Sequence, residues 1–278
     1  MTHLRCVLLR MLRDIEDVCR ANRITCLLAG GSCLGAVRHG GFIPWDDDLD
    51  LNMTRADYER FVPLFEKKYG DRYCIQIPGK TMGYPLLFSR IRLKGTSLIT
   101  RDDFRNEERG VFIDLFVIEN TFNSRILRVI HGMGCYFWGG IVSCRKFYRD
   151  RKELCLMIDA ERSPDLYRSY RLKVAIGRFL FFVPLERLIS WGDRWYRCCR
   201  DNASDYVSVP SGRKYFRGEM HLRRDYCRPR EIMFEGEMHS VPYETSTYLN
   251  QLYGDYMKIP DPEDRERHIY LKPIHLGD

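Results

Sequence analysis

Asp46, Asp48 and Asp50 stand at alternate positions in the run Trp45-Asp46-Asp47-Asp48-Leu49-Asp50-Leu51-Asn52-Met53. If residues 46 to 53 are extended, one face carries Asp46, Asp48, Asp50 and Asn52, and the other carries Asp47, Leu49, Leu51 and Met53. Carboxylates crowded on one face repel each other and are costly to desolvate unless a cation sits among them. Asp48 and Asp50 have the spacing to share a hard divalent ion such as Mg²⁺, with Mn²⁺ as the alternative. Upstream lies Gly30-Gly31-Ser32. The backbone N–H groups of a glycine-rich turn entering a helix suit a phosphate, and glycine lets it approach closely. A phosphate cradle beside a metal-holding carboxylate pair is the equipment of phosphoryl transfer. A further carboxylate, Asp114, is the one charge in the apolar run from Val111 to Ile118. Buried there it must be protonated, paired with an arginine such as Arg90 or Arg92, or bound to metal.

The elements that must position these groups can be read from periodicity. Leu4, Leu8, Leu9, Leu12, Ile15 and Val18 recur at helical spacing, with charges between them. Ile24 to Ala29 has strand length, and a helix-compatible turn from Cys33 to Arg38 follows the glycines. Thr54 is an N-cap with Asp57 as its capping partner, opening a helix from Arg55 to Tyr69 that stops at Gly70. Residues 73 to 118 read as strands, the last of them apolar enough to be covered on both faces. From Ile126 to Trp195 the pattern is helical and mixes aromatics with arginines. It includes an uncharged stretch from Gly132 to Cys144 and the run Phe179-Leu180-Phe181-Phe182-Val183. Neither reaches the ~20 apolar residues of a membrane span. The second has the arginine-flanked aromatic character of an interfacial helix, although an internal layer packed on the sheet is the favoured reading. Short strands and a helix from Thr245 to Leu252 complete the chain.

The segment GGSCLGAVRHGGFIPWDDDLD resembles the central motif of the LicD family, which includes the fukutin-related proteins and belongs to the nucleotidyltransferase-fold superfamily. TRADYERF, GVFIDLF, FEGEMHSVP, LYGDYMKIP and RERH carry the resemblance to both ends of the chain. It implies an α+β fold, with a nucleotidyltransferase-like core of mixed sheet and flanking helices. That core covers about residues 1–120, a helical insertion about 121–200 and a closing segment about 201–278, in a single domain. It also implies a phosphotransferase that moves phosphocholine, or a related phospho-substituent, from a CDP-linked donor to a hydroxyl of a cell-surface glycan or its lipid-linked precursor. Asp48, Asp50 and Asp114 would be the catalytic and metal-binding carboxylates. Gly30, Gly31, Ser32, Arg38, His39, Asp46 and His268 would meet substrate. The family often has a His pair where this chain has His268 followed by Ile269, a departure that bears on His268.

Bland readings stand beside several of these. Arg38 is equally a surface arginine, His39 a packing residue, and Trp45 a brace for the acidic strand or a stacking platform. A nucleotidyltransferase would use the same carboxylates and loop, and a non-catalytic nucleotide-binding module would leave them idle.

The 278 residues carry a net charge of +7 and are 45% hydrophobic, enough for a core and against a disordered chain. The surplus favours an anionic partner, including membrane headgroups at a peripheral contact. The basic residues are not gathered into a nucleic-acid-binding stripe, so no nucleic-acid partner is expected. The eleven cysteines show no CxxC pair. With no apolar signal segment after Met1, they read as reduced thiols of a cytoplasmic protein working at the inner face of the membrane.

Overall fold

The structure, a computed structural model, describes residues 2–161, 164–263, 265 and 274–277. In chain order its elements are α1 (Thr2–Asn22), β1 (Leu27–Leu28), α2 (Gly30–His39), β2 (Asp50–Thr54), α3 (Arg55–Tyr69), β3 (Tyr73–Gln76), β4 (Ser89–Leu93) and β5 (Phe112–Thr121). A helical layer follows: α4 (Arg125–Arg149), α5 (Arg151–Glu161), α6 (Pro164–Phe179) and α7 (Leu185–Tyr196). The chain then runs through β6 (Tyr206–Ser208), α8 (Tyr215–Gly218), β7 (Met220–Leu222), α9 (Arg223–Tyr226), the hairpin β8 (Pro229–Phe234) and β9 (Glu237–Pro242), and α10 (Thr245–Tyr253).

The main sheet is mixed, in the order β1-β2-β5-β4-β3, with β6 on the far half of β5 and β7 on β6. Only β2 and β5 run parallel among these pairs. The α+β class expected from the sequence is therefore the observed one. Its core forms where α1 lays Leu8, Leu12, Ile15 and Val18 against the sheet and α3 adds Phe61 and Phe65. Thr54 caps α3 as read from the sequence: its Oγ1 accepts from the Asp57 backbone N–H at 3.2 Å and donates to the Asp57 carboxylate at 3.0 Å.

Two boundaries differ from the expectation, each for a local reason. The first strand is only Leu27–Leu28, because Ala29 already serves as N-cap of α2 and the two glycines form its first turn. The acidic run is extended in ladder geometry only from Asp50, although the Asp114 N–H still reaches the Leu49 carbonyl at 3.0 Å. Upstream, the Arg5 guanidinium donates to the carbonyls of Ile43, Pro44 and Asp46 at 2.8 to 3.0 Å. Those carbonyls are satisfied without a neighbouring strand, so residues 43–46 bend away.

The helical layer corrects the favoured reading of the aromatic run. Leu185, Leu188 and Ile189 of α7 do pack with Val142 of α4. Arg55 ties that layer to the core by donating to Glu119 of β5 and, at 2.8 Å, to Asp193 of α7. Phe179, Phe181 and Phe182, however, stand at the α6–α7 turn with 79%, 64% and 71% of their surface exposed. They are not core.

Candidate active site

The register of the sheet builds the site. Asp50 on β2 pairs with Asp114 on β5, and Asp114 pairs with Arg90 on β4. Paired residues of adjacent strands project to the same face, so two carboxylates and a guanidinium stand in one row. Both Asp114 oxygens are held by Arg90: Nε donates at 2.6 Å and Nη2 at 3.2 Å. Of the two partners the sequence allowed, Arg90 is the one used. Arg92 is turned to Asp103 at 2.5 Å, Gln76 at 2.7 Å and the Gly110 carbonyl at 2.8 Å. Burial pushes the Asp114 carboxyl up, and Arg90 offsets only part of that.

Above this row lies a cavity of about 470 Å³ lined by Asp46, Asp48, Asp50, Asn52 and Asp114. The alternation read from the sequence thus delivers one set of residues to one space, while Leu49, Leu51 and Met53 are buried in the core. The N-terminus of α2 closes the cavity on one side through Gly30 and Gly31. A Cβ on Gly30 would lie 2.7 Å from Asp50 Oδ2, and one on Gly31 would lie 2.6 Å from Asp46 Oδ2. The glycines therefore admit the protein's own carboxylates to the positive end of the helix dipole.

Two of the expected phosphate contacts are already engaged. The Gly30 N–H donates to the Tyr248 hydroxyl at 2.8 Å. Ser32 is buried, is absent from the cavity wall, and accepts from the Asp50 N–H at 2.9 Å. Its hydroxyl fixes the strand that carries Asp50 rather than facing a ligand.

Burial comes first, and the charges of Asp48, Asp114, Asp46 and Glu219 next, in driving the Asp50 carboxyl well above the ordinary carboxylate range. Asp50 is only partly exposed, at the cavity wall. A divalent cation would remove that repulsion. Among the described residues no three His, Cys, Asp or Glu side chains converge as a ready ligand set. Asp48 and Asp50 nevertheless suit Mg²⁺, which commonly takes one or two carboxylates and completes its shell with water and substrate phosphate. The buried Oδ1 of Asn52, which has no hydrogen-bond partner, adds a neutral oxygen in the same wall. Each Asp114 oxygen accepts one hydrogen bond from Arg90 and keeps a second lone pair at the same wall.

A second recess of about 230 Å³ adjoins the first, sharing Gly31, Asp46, Arg213 and Tyr253 with it. Arg38, Trp45, Tyr256 and Arg265 also line it. Arg38 donates to the Tyr256 carbonyl at 2.9 Å and to His39 Nε2 at 3.0 Å. Arg265 lies over the Trp45 ring at 4.2 Å, and His39 meets that ring edge-on. Trp45 thus braces the recess with one face stacked on a cation. His39 is exposed and lines neither space; burial and Arg38 hold its pKa down. His268 lies outside the described residues.

Sequence reasoning missed the wall opposite the carboxylates: Ser211, Arg213, Tyr215 and Glu219 from the β6–β7 connection, and Tyr248 from α10. Nothing in their spacing relates them to residues 30–50; only the fold does. Glu219 is nearly fully buried, and burial pushes its pKa up to about 7, with the backbone N–H of Lys214 (3.0 Å) opposing the shift.

That value implies a pH dependence. A carboxyl raised on folding adds stability below its unfolded pKa and loses it as pH rises through the folded pKa. Wild-type thermal stability should therefore fall between about pH 5 and pH 8. Glu219→Gln should flatten that fall, by up to roughly 3 kcal/mol for a shift of this size. Melting curves across the range check it, and parallel slopes for the two proteins would refute it.

A mixed sheet bearing paired carboxylates beside a glycine-opened helix is the arrangement of a nucleotidyl- or phosphoryl-transfer domain. Residues 23–125, which include Asp48, Asp50 and Asp114, match the nucleotidyltransferase domain of the LicD/FKTN/FKRP family. The chain is 24% identical over 265 residues to the lipopolysaccharide cholinephosphotransferase LicD of Haemophilus influenzae, covering 94% of this chain and 93% of that protein. It is 45% identical over 53 residues to the ribitol 5-phosphate transferase FKRP of mouse and of human, which is 18% of this chain and 11% of those proteins. The described cysteines are all free thiols, and no described helix is long and apolar enough to cross a membrane.

Proposed function

We propose that the chain is a Mg²⁺-dependent phosphotransferase that moves a phosphocholine-like substituent from a CDP-linked donor to a glycan hydroxyl. One observation carries the reading: the carboxylates of Asp46, Asp48, Asp50 and Asp114 line one cavity that opens onto a recess bearing Arg38, Trp45, Arg213 and Arg265. A charged diphosphate suits the first space with its metal, and a nucleoside suits the aromatic and basic second. The near full-length similarity to a lipopolysaccharide cholinephosphotransferase supports both the transferred group and the glycan acceptor.

Asp48 and Asp50 would hold the metal, which supplies charge neutralisation to the donor diphosphate. Arg38 and Arg213 bind the nucleotide end. The acceptor oxygen forms a new bond to the donor phosphorus, the bond to the CMP oxygen breaks, and CMP leaves. Glu219 takes the acceptor's hydroxyl proton, a role that suits a carboxylate with a pKa near 7. Asp114, held by Arg90, fixes the position of the Asp50 strand and the charge beside it.

The test is incubation with CDP-choline, CDP-ethanolamine and CDP-ribitol and a lipopolysaccharide acceptor, with mass spectrometry of both products. CMP with an acceptor gaining a phospho-substituent is the expected result. Transfer of the CMP moiety instead would establish the nucleotidyltransferase alternative, and no turnover of any donor would refute the assignment.

A further inference from the structure

We propose that the N-terminal half of α4 and the α6–α7 turn form a docking face for an anionic bilayer surface. This goes beyond the reaction above, and its test needs no turnover, so either can fail alone.

The two helices α4 and α6 pack against each other along one face of α4. The Gly177 position lies against the Cys144 carbonyl and Tyr148, and Lys173 sits over the Phe147 ring at 4.4 Å. Traced toward the N-terminus of α4 at helical spacing, that same face continues as Phe137, Met133, Ile130 and Ile126. There α6 no longer covers it. These four are 59%, 60%, 45% and 73% exposed. A helix face that is covered by α6 over half its length and bare and apolar over the other half has no partner among the described residues.

Phe179, Phe181 and Phe182, the exposed aromatics of the turn, end the helix that covers the other half of that face. Arg145 holds that turn by donating to the Val183 carbonyl at 3.1 Å and the Phe181 carbonyl at 3.3 Å. The aromatics are thus presented on a braced loop.

Charge selects the occupant. Residues 125–200 contain sixteen Lys and Arg against seven Asp and Glu, whereas the rest of the chain has slightly more acid than base. The whole positive surplus of the protein lies in the layer that carries the bare stripe, with Arg125, Arg178 and Arg187 exposed around it. Apolar side chains ringed by arginines match the boundary between acyl chains and anionic headgroups. A second protein would need an acidic rim around an apolar centre. A second copy of this layer would meet like charge.

The position also suits the chemistry. A mostly apolar groove of about 410 Å³, lined by Tyr136, Gly139, Gly140 and Ser143 of α4, lies next to the stripe. It shares Phe88, Ser211 and Tyr215 with the carboxylate cavity. A protein seated by this face would open its cavity, through the groove, toward the membrane.

The experiment is co-sedimentation with vesicles of 70:30 phosphatidylcholine:phosphatidylglycerol and of pure phosphatidylcholine. The wild type should sediment with the anionic vesicles, several-fold less in 0.5 M NaCl because the arginine contribution is screened. Ile130→Ser/Met133→Ser/Phe137→Ser should reduce the bound fraction by about tenfold with an unchanged melting temperature, since each side chain is already exposed. Phe181→Ser/Phe182→Ser should reduce it independently. Failure of the wild type to bind anionic vesicles, or binding by both variants equal to that of the wild type, would overturn the proposal. So would light scattering that shows a wild-type dimer made monomeric by the triple change without vesicle binding, which would make the face a contact between copies.

Discussion

Asp50→Asn is expected to lower turnover by about 10³-fold while leaving the metal-free protein as stable as wild type or more so. The two halves of that expectation have one cause. Asp50 stands half-buried beside Asp48, Asp114 and Asp46, and its carboxyl is driven well above the ordinary range. Without a cation its negative charge opposes folding; with one, it is a ligand. The sign follows from proton linkage: a carboxyl raised in the folded state loses its stabilising effect as pH rises through the folded pKa. The asparagine variant should therefore gain on wild type as pH rises from the ordinary carboxylate value upward. Added Mg²⁺ should reverse the order, raising the wild-type melting temperature and leaving the variant where it was. Melting curves with and without Mg²⁺, beside a rate measurement on CDP-choline, check both halves. A variant of full activity, or one that still gains stability from Mg²⁺, would remove Asp50 from the metal site.

Asp114→Asn is expected to do the opposite to stability. Its carboxylate is held through two hydrogen bonds by Arg90, itself almost fully buried, whose Nη1 makes no hydrogen bond and whose next carboxylates, Asp102 and Asp103, stand at 4.0 Å. An amide cannot accept both bonds as a charge, and the guanidinium would be left inside the protein. Breaking one side of a buried pair costs about 3–5 kcal/mol. In a chain of this size that is a fall of roughly 10 °C in melting temperature. Activity of the folded fraction should fall as well, because Asp114 lines the cavity beside Asp50. Arg90→Met should be equally destabilising and should add a new loss of stability at high pH, where the stranded Asp114 ionises. A melting temperature unchanged in Asp114→Asn would show that the pair contributes nothing. Full activity in the folded fraction would confine Asp114 to a structural part.

The contrast between these two aspartates marks where sequence reasoning ended. Both were recognisable as site residues, Asp50 from the alternation around it and Asp114 from being a lone charge in an apolar run. Which of them carries a counter-charge was open, because the choice between Arg90 and Arg92 depends on strand register. The register pairs Asp114 with Arg90 and sends Arg92 to Asp103. Read from the sequence alone, relief of desolvation makes an unchanged or raised melting temperature the expected result of Asp114→Asn, and the pairing with Arg90 reverses that half of the expectation.

The same division runs through the rest of the protein. Period and capping chemistry are local, and they determined α1, α3 and its Thr54 cap, the apolar strand β5 and the acidic face with its apolar reverse. The glycines were legible as a place of close approach, because no other residue lets an oxygen come within 3 Å of where a Cβ would stand. What approaches was decided by the tertiary structure, which brings Asp46 and Asp50 there and turns Ser32 inward to hold the strand. Glu219 and Tyr248 reach the cavity from more than 160 residues downstream of α2, and no spacing rule spans a separation set by how the chain returns. The aromatic run at Phe179–Phe182 reads as buried because large apolar side chains gain most from leaving water. That gain requires a surface to pack on, and only the three-dimensional arrangement of α4, α6 and α7 decides that these phenylalanines have none among the described residues.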